Sequence, residues 1–294
     1  MNTEKNKTKM TSTLLYRCYD QIGEAATWLP HQEIFLWVDI DNALLHEYHP
    51  ETNSVTDHSL PDMVTTIIPN REKTDEIWLA LRNRLVSYHL KTGVIKELTI
   101  LPAITPELRT NDGKSSPEGR IWLGVMHRSN HDKTGSLYCV EKDFSCRKIL
   151  ENQCIPNGIV WNRTGDTMYY ADSGQGCIYR FAYDAQQGAI HSQQIAIQVP
   201  KEYGVPDGMA IDDRGFLWVA HWGGFGVYVW NPETGKLTDK IDVPTPLVAS
   251  CAFGGKRMNE LYITTARDGL SDEEKERFPL SGSLFVATLL NIKQ

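Results

Sequence analysis

The stretch Ile121-Trp122-Leu123-Gly124 is one of six copies of a short pattern: an apolar residue, an aromatic residue, a second apolar residue and a small or polar one. The other copies are Leu36-Trp37-Val38-Asp39, Ile77-Trp78-Leu79-Ala80, Met168-Tyr169-Tyr170-Ala171, Leu217-Trp218-Val219-Ala220 and Leu261-Tyr262-Ile263-Thr264. We call these copies the aromatic phrases. Their aromatic residues stand at 37, 78, 122, 169, 218 and 262, so the steps between them are 41, 44, 47, 49 and 44 residues. A period of this length in short β-rich segments is typical of propeller blades.

A second strand-like run follows each aromatic phrase, and most of these runs end in turn residues. Residues 227–230, for example, lead into the turn Asn231-Pro232-Glu233-Thr234-Gly235. Runs rich in β-branched and aromatic residues between turn residues are typical of hairpin strands. The sequence therefore predicts an all-β fold, a six-bladed β-propeller with four-stranded blades around a central channel. Because all six copies are needed to close the ring, we expect residues 14–294 to form one domain.

Both ends of this predicted domain carry strand-like residues. Residues 14–19 precede the first blade and residues 284–287 end the last one. We expect the two segments to pair within one blade, because that pairing covers edges that would otherwise stay open. Residues 1–13 are polar and rich in Lys and Thr. They are predicted to form a disordered N-terminal tail that lacks the apolar segment of a secretory signal.

Composition narrows the range of partners. The formal net charge is -7, and 41% of the residues are hydrophobic and 23% charged, as in ordinary globular proteins. The negative charge argues against nucleic acid and anionic membranes as partners, and no apolar run approaches the roughly 20 residues of a membrane span. The six cysteines form no C-x-x-C pair, so we expect reduced thiols in a cytoplasmic protein, with one or two disulfides as the alternative. We expect a monomer or a weak homodimer.

Polar residues recur about a dozen positions before the aromatic phrases, where each blade is expected to have its innermost strand. The offsets to the aromatic residue are 13, 11, 12, 11 and 12 for Glu24, Asn111, Asn157, Asp207 and Ser250. Near-equal offsets on different blades place these side chains at about the same height around one axis.

Carboxylate and amide oxygens that converge at a channel mouth favour a hard divalent cation such as calcium, magnesium or manganese. Asn-Gly, Asp-Gly and Pro-Asn-Gly are also ordinary β-turn sequences, so any one of them alone would indicate a turn. Their recurrence at one register on several blades favours a site instead. The second blade has only Thr65, Thr66 and Ile67 at this register, so it is expected to supply channel wall and no ligand.

Several segments, each weak alone, occur together in an informative order and spacing. They are Gly23-Glu24, Arg109-Thr110-Asn111-Asp112-Gly113-Lys114, Pro156-Asn157-Gly158, Pro206-Asp207-Gly208-Met209 and Ala266-Arg267-Asp268-Gly269. With these segments the chain resembles the regucalcin, senescence marker protein and gluconolactonase family of six-bladed, metal-dependent lactonases. The resemblance extends from Ile22 to about Ala287.

The resemblance implies roles for individual residues. It implies that Glu24, Asn157 and Asp207 are the protein ligands of one divalent metal ion, with calcium favoured and zinc, magnesium and manganese as alternatives. Arg109 and Asn111 look like the substrate-binding pair, with Asn111 close enough to the metal to ligate it directly or through water. Asp207 also looks like the family's proton-transfer residue.

The chain departs from the family pattern at two places. Ala25-Ala26 stands where the family usually continues with Gly-Pro or Cys-Pro. Some members also carry an acidic substrate contact in a region that reads Gly124-Val125-Met126-His127-Arg128-Ser129-Asn130 here. Because basic and polar groups replace that acid, His127, Ser129 and Asn130 are candidate substrate contacts, and a different or more anionic ligand edge is expected. A surface or packing role is the alternative for His127.

Together these residues predict hydrolysis of a sugar (aldono)lactone, a cyclic ester, to the free sugar acid. A divalent cation would polarise the carbonyl and activate water, while Asp207 would transfer the proton. One alternative is a hydrolase of another ester or of a phosphotriester, and another is a non-enzymatic calcium-binding propeller. Such a scaffold would not need Arg109 and Asn111 beside the metal ligands, which favours an enzyme. The chain carries neither an H-E-x-x-H nor a G-x-S-x-G motif, so zinc-protease and serine chemistry are unsupported.

Overall fold

The computed structural model describes residues 10–129 and 133–289. The strands form six sheets in a ring, which confirms the six-bladed β-propeller. Neighbouring strands within each blade are antiparallel, and the first strand of every blade contacts the first strands of the two adjacent blades. These six first strands therefore form the wall of the central channel.

Two short strands, β1 (Met10–Thr11) and β2 (Thr13–Tyr16), precede the first blade. Blade 1 contains β3 (Gly23–Leu29), β4 (Ile34–Asp39), β5 (Leu44–His49) and β6 (Ser54–Ser59). Blade 2 contains β7 (Val64–Pro69), β8 (Glu76–Leu81), β9 (Arg84–His89) and β10 (Ile95–Ile100). Blade 3 contains β11 (Leu108–Ser115), β12 (Ile121–His127), β13 (Gly135–Val140) and β14 (Cys146–Gln153).

Blade 4 contains β15 (Pro156–Trp161), β16 (Thr167–Asp172), β17 (Cys177–Asp184) and β18 (Ala189–Gln198). Blade 5 contains β19 (Val205–Ile211), β20 (Leu217–Trp222), β21 (Gly226–Asn231) and β22 (Lys236–Asp242). Blade 6 contains β23 (Val248–Gly254), β24 (Glu260–Thr265) and β25 (Leu284–Thr288). The helices in the described part of the chain are two 3₁₀ turns, Ser173–Gln175 and Lys201–Tyr203, and α1 (Asp272–Arg277). No helix among the described residues is long and apolar enough to cross a membrane.

The aromatic phrases form the second strand of each blade, where the sheets pack face to face. Trp37, Trp122 and Trp218 are fully buried, and Trp78 alone among the six aromatic residues is half-buried. Each blade has neighbours on both faces, so these strands read as nearly continuous apolar runs rather than as an alternating pattern. The aromatic phrases therefore recur once per blade because each one supplies the residues that pack between neighbouring blades.

The N-terminal strands close the ring. Strand β2 pairs antiparallel with β25 as the outer strand of blade 6, with Leu14 opposite Phe285, which confirms the predicted pairing of the two terminal segments. Strand β1 continues the same segment onto blade 5, where it pairs parallel with β22. The predicted disordered tail, residues 1–13, has residues 1–9 outside the described chain, but Met10–Thr11 is a strand, so regular structure begins before residue 14.

All six cysteines lie in the described residues, and none is paired in a disulfide. Four of them, Cys139, Cys154, Cys177 and Cys251, are buried. This agrees with the expectation of reduced thiols that serve as small apolar side chains.

Candidate functional site

Every inner hairpin of the propeller loses its strand register at the same level. The break lies next to Glu24 in β3, Asn111 in β11, Asn157 in β15 and Asp207 in β19. The two hairpins of blades 2 and 6 break at the equivalent place. A β-bulge re-aims side chains that a regular strand would place against the next strand. The four predicted polar residues therefore turn toward the channel.

A cavity of about 620 Å³ opens at this end of the channel. It is lined by seven of the predicted site residues: Glu24, Arg109, Asn111, His127, Ser129, Asn157 and Asp207. Asn130 lies outside the described residues. Ser250, the fifth residue at the polar register, does not line the cavity and lies beside Gly208 instead.

Two glycines allow the inner strands to approach closely beside the site. A Cβ atom on Gly158 would lie 2.5 Å from the carbonyl oxygen of Asp207, and one on Gly208 would lie 2.6 Å from Ser250 Oγ. Asn157-Gly158 and Asp207-Gly208 are thus not turns, because both pairs lie within innermost strands. Their glycines are required where backbones on adjacent blades meet.

The carboxamide of Asn157 has a defined orientation. Its Nδ2 donates to Ser173 Oγ at 2.9 Å, and Ser173 Oγ donates in turn to the carbonyl oxygen of Pro206 at 2.6 Å. Asn157 Oδ1 is buried and accepts no hydrogen bond from the described residues, and the same is true of Asp207 Oδ1. Two bare oxygens in one buried wall need a partner, since an unsatisfied buried acceptor costs about 1–3 kcal/mol.

Glu24 and Asp207 are two buried acids whose negative charges would repel each other. Burial raises the pKa of Glu24 to about 8, and the charge of nearby Asp112 adds to this shift. Burial also raises the pKa of Asp207 well above its ordinary value, and the charges of Glu24 and Asp112 raise it further. Like charges in a buried site disfavour ionisation of both groups. A divalent cation between them would reverse this effect, so the donor set fits a hard metal ion.

Arg109 and Asn111 form a second unit in the same wall. Arg109 Nη1 donates to Asn111 Oδ1 at 2.6 Å, while Asn111 Nδ2 donates to the carbonyl oxygen of Pro156 at 2.8 Å. Burial lowers the pKa of Arg109, against the opposing charges of Asp41, Glu24 and Asp207. The amide oxygen of Asn111 is therefore already occupied, unlike that of Asn157.

The rim of the cavity carries charges of both signs. Arg128 is exposed, forms no ion pair among the described residues, and is anchored by its backbone N–H to the carbonyl oxygen of Glu107 at 2.8 Å. Asp41 and Asp268 also line the rim. Burial raises the pKa of Asp41, although the charge of Arg109 opposes that shift. A ligand in this cavity would meet cationic and anionic groups together.

Among the cavity residues that were not sequence-based candidates, four share one position relative to the aromatic phrases: Asp41, Met126, Ser173 and Trp222. Each stands four positions after an aromatic residue, at 37, 122, 169 and 218. In an antiparallel hairpin the end of the second strand lies beside the start of the first. Counting forward from the aromatic phrases as well as backward would have found all four.

Comparison with known proteins identifies the family of the chain. Residues 22–267 match the family described as SMP-30/Gluconolactonase/LRE-like region. The chain belongs to this family. Rabbit (Oryctolagus cuniculus) regucalcin is 32% identical over 92% of both chains, and the pentonolactonase XacC of Haloferax volcanii is 31% identical over 94% of both. The crystal structure of a calcium-binding protein, regucalcin, from Agrobacterium tumefaciens has a TM-score of 0.90 at 27% identity and covers 97% of this chain and 94% of that one.

Membership of the SMP-30/gluconolactonase family, with relatives named as lactonases, supports a lactone-hydrolysing enzyme. One departure from the family pattern has a local explanation. Ala25 adopts a left-handed backbone with φ of 56°, and its N–H donates to Glu24 Oε2 at 2.8 Å. The bulge next to Glu24 therefore forms without the glycine that usually adopts this conformation.

Proposed function

We propose that the protein hydrolyses a sugar (aldono)lactone to the free sugar acid, with a divalent cation held by Glu24, Asn157 and Asp207. The observation that carries this proposal is the pair of bare, buried oxygens, Asn157 Oδ1 and Asp207 Oδ1, in the wall of the 620 Å³ cavity. Glu24 and the Arg109–Asn111 unit line the same cavity.

The bound cation supplies Lewis-acid polarisation of the lactone carbonyl and a lower pKa for water. Asp207 lies in the cavity wall with one buried carboxylate oxygen that accepts no hydrogen bond from the described residues, a position from which it can exchange protons with water. In the reaction, a C–O bond forms between water and the carbonyl carbon, and the bond from that carbon to the ring oxygen breaks. Asp207 takes the proton lost by water and returns it to the ring oxygen, so the residue ends in its starting state.

Arg109 and Asn111 orient the substrate in this proposal. The guanidinium of Arg109 presents a planar set of donors, and its Nη1 is committed to Asn111 Oδ1 and to the carbonyl oxygen of Thr110. The remaining donors can hold hydroxyl or carbonyl oxygens of a sugar ring. Because Asn111 Oδ1 is occupied, we assign Asn111 to positioning Arg109 rather than to direct ligation of the cation. His127 and Ser129 at the rim are proposed substrate contacts.

The test is a panel of aldonolactones assayed with purified protein, after chelation and after return of calcium, zinc, magnesium or manganese. We expect hydrolysis that disappears with chelator, returns with one or more of these cations, and differs among the lactones. The matched variants are Glu24→Gln and Glu33→Gln, because Glu33 lies at the turn after β3 and outside the cavity. Only Glu24→Gln should reduce activity.

Equal rates with and without chelator across the panel would overturn the proposed mechanism. Hydrolysis of aryl esters or phosphotriesters, but of no lactone, would indicate that the protein is a hydrolase of those substrates instead. Tight cation binding without any turnover would favour a calcium-binding scaffold.

A further inference from the structure

We propose that Ser173 is a positioning residue that sets the cation affinity of the site by fixing the carboxamide of Asn157. This inference rests on the proposed function, because it concerns the same cation site. Ser173 belongs to neither of the innermost strands that carry Asn157 and Asp207, since it follows β16 at the start of a 3₁₀ turn.

The direction of the hydrogen bonds follows from proton counting. The carbonyl oxygen of Pro206 can only accept, so the single hydroxyl proton of Ser173 is used in the 2.6 Å bond to it. Ser173 Oγ must then accept from Asn157, and the only donor on that side chain is Nδ2, at 2.9 Å. Asn157 Oδ1 is consequently directed away from Ser173 and is left bare.

This arrangement matters because a carboxamide has nearly the same shape in its two orientations. With Nδ2 turned toward the cavity, Asn157 would present a donor to a cation and would repel it. Ser173 is buried, with 4% of its surface exposed. Its hydroxyl is therefore not readily replaced by bulk water. A second-sphere hydrogen bond of this kind is expected to change metal affinity about 10–100-fold.

Ser173 also links the strands of two proposed ligands. Asn157 lies on β15 of blade 4, and Pro206 directly precedes Asp207 on β19 of blade 5. The turn that holds Ser173 is itself fixed by Asp172, whose Oδ1 accepts from Gly174 N at 3.1 Å and from Ile155 N at 2.9 Å. The hydroxyl of Ser173 thus links blades 4 and 5 by hydrogen bonds, and the turn around Asp172 fixes its position.

The experiment measures calcium affinity of the chelator-treated, full-length protein by isothermal titration calorimetry. We expect Ser173→Ala to weaken binding about 10–100-fold and Ser173→Thr, which keeps the hydroxyl, to remain within a few-fold of the parent. Ser87→Ala is the matched control, because Ser87 is also buried but lies on β9, away from the cavity. Circular dichroism at the titration temperature checks that each variant is folded.

A double-mutant comparison separates orientation from simple loss of structure. In Asn157→Asp the two oxygens are equivalent, so either orientation presents an acceptor to the cation. Adding Ser173→Ala to Asn157→Asp should then cost little further calcium affinity. If Ser173→Ala instead weakened binding by destabilising the protein, the same loss of affinity would appear in the Asn157→Asp background. Should Ser173→Ala alone fail to fold, the Ser173→Thr protein and Ser173→Val, which has a similar shape without the hydroxyl, provide the comparison.

Calcium affinity of Ser173→Ala equal to that of the parent would overturn the inference while leaving the proposed function intact. An equal loss of affinity when Ser173→Ala is added to the parent and to the Asn157→Asp variant would also overturn it, because that result indicates a structural role. A parent protein that binds none of the four cations would overturn the proposed function and this inference with it.

Discussion

Arg109 Nη1 and Asn111 Oδ1 are joined by a 2.6 Å hydrogen bond at the edge of the inner-strand bulge in blade 3. The two residues are two positions apart on one strand and form one hydrogen-bonded unit in the cavity wall. Asn111 is in turn tied to the backbone of Pro156 in the next blade. The position of Arg109 is therefore set by the contact between two blades.

Arg109→Lys tests this unit. A lysine keeps the charge but loses the planar donor set and the bond to Asn111, so kcat/KM for the best lactone should fall about 10–100-fold, mainly through KM. Steady-state kinetics at saturating cation measures the effect. The exposed Arg163→Lys is the control and should match the parent. Parent-like kinetics in Arg109→Lys would show that the guanidinium does not orient the substrate.

Asp207→Asn should separate stability from activity. The substitution removes the proposed proton-transfer group, so turnover should fall at least about 10²–10⁴-fold. It also removes one of two buried acids whose proximity disfavours ionisation of both, so the chelator-treated protein should become more stable by about 1–3 kcal/mol at neutral pH. Urea unfolding and lactone assays of the same preparations measure both effects. Asp213→Asn, at an exposed position, is the control; reduced stability of Asp207→Asn in chelator would contradict the repulsion.

Arg128→Glu should change substrate preference rather than catalysis. The exposed guanidinium stands at the cavity rim, in the region where some family members carry an acid. Reversing its charge should raise kcat/KM for neutral aldonolactones relative to lactones that carry a carboxylate or phosphate, by about tenfold. Competition assays with mixed substrates measure this ratio. An unchanged ratio would mean that Arg128 does not face the bound ligand.

His46 makes stability dependent on pH. Its Nδ1 lies 2.7 Å from Asp57 Oδ1, and its Nε2 lies 3.3 Å from Asp20 Oδ1, an ion-pair distance without hydrogen-bond alignment. Burial lowers the pKa of His46, but the two acids outweigh burial, and the net result is a pKa above the ordinary 6.5. The folded state thus holds this proton more tightly than the unfolded chain does.

The corresponding stabilisation is complete below about pH 6.5 and is lost as pH rises through the folded-state pKa. His46→Gln should flatten this decline and cost about 3 kcal/mol at pH 6, because the buried Asp20 loses its charged partner, whereas the exposed Asp57 adds little. Thermal unfolding midpoints from pH 6 to 9 measure both, with the exposed His191→Gln as the control. Equal slopes in the parent and His46→Gln would exclude His46 as the source.

The fold could be predicted because one feature repeats in every blade. Each aromatic phrase supplies the strand that is buried on both faces. Its pattern can therefore be recognised in every blade even though the loops between the phrases differ in length and sequence. The register of Glu24, Asn111, Asn157 and Asp207 was also predictable, since the inner hairpins have nearly equal lengths. Offsets alone could not distinguish Ser250, which is at the same height but packs beside Gly208 rather than in the cavity.

The difference between the two asparagines could not be predicted from sequence. Asn157 keeps its amide oxygen bare and Asn111 does not. That difference depends on Ser173 and Pro206 for Asn157, and on Arg109 and Pro156 for Asn111. Spacing along the chain does not show how these hydrogen bonds orient each carboxamide, because Pro206 and Pro156 come from neighbouring blades and Ser173 from a turn outside the innermost strand.

The pairing of β2 with β25 joins two strands that are synthesised at very different times. Thr13 and Val286 are bonded across 273 positions, so β2 leaves the ribosome on the order of tens of seconds before its partner at ordinary translation rates. During that interval the first blades can assemble, but β2 has no β25 to pair with and keeps an open strand edge. Blade 6 can therefore close the ring only after β25 has been made, and until then β2 can pair with other chains or bind chaperones.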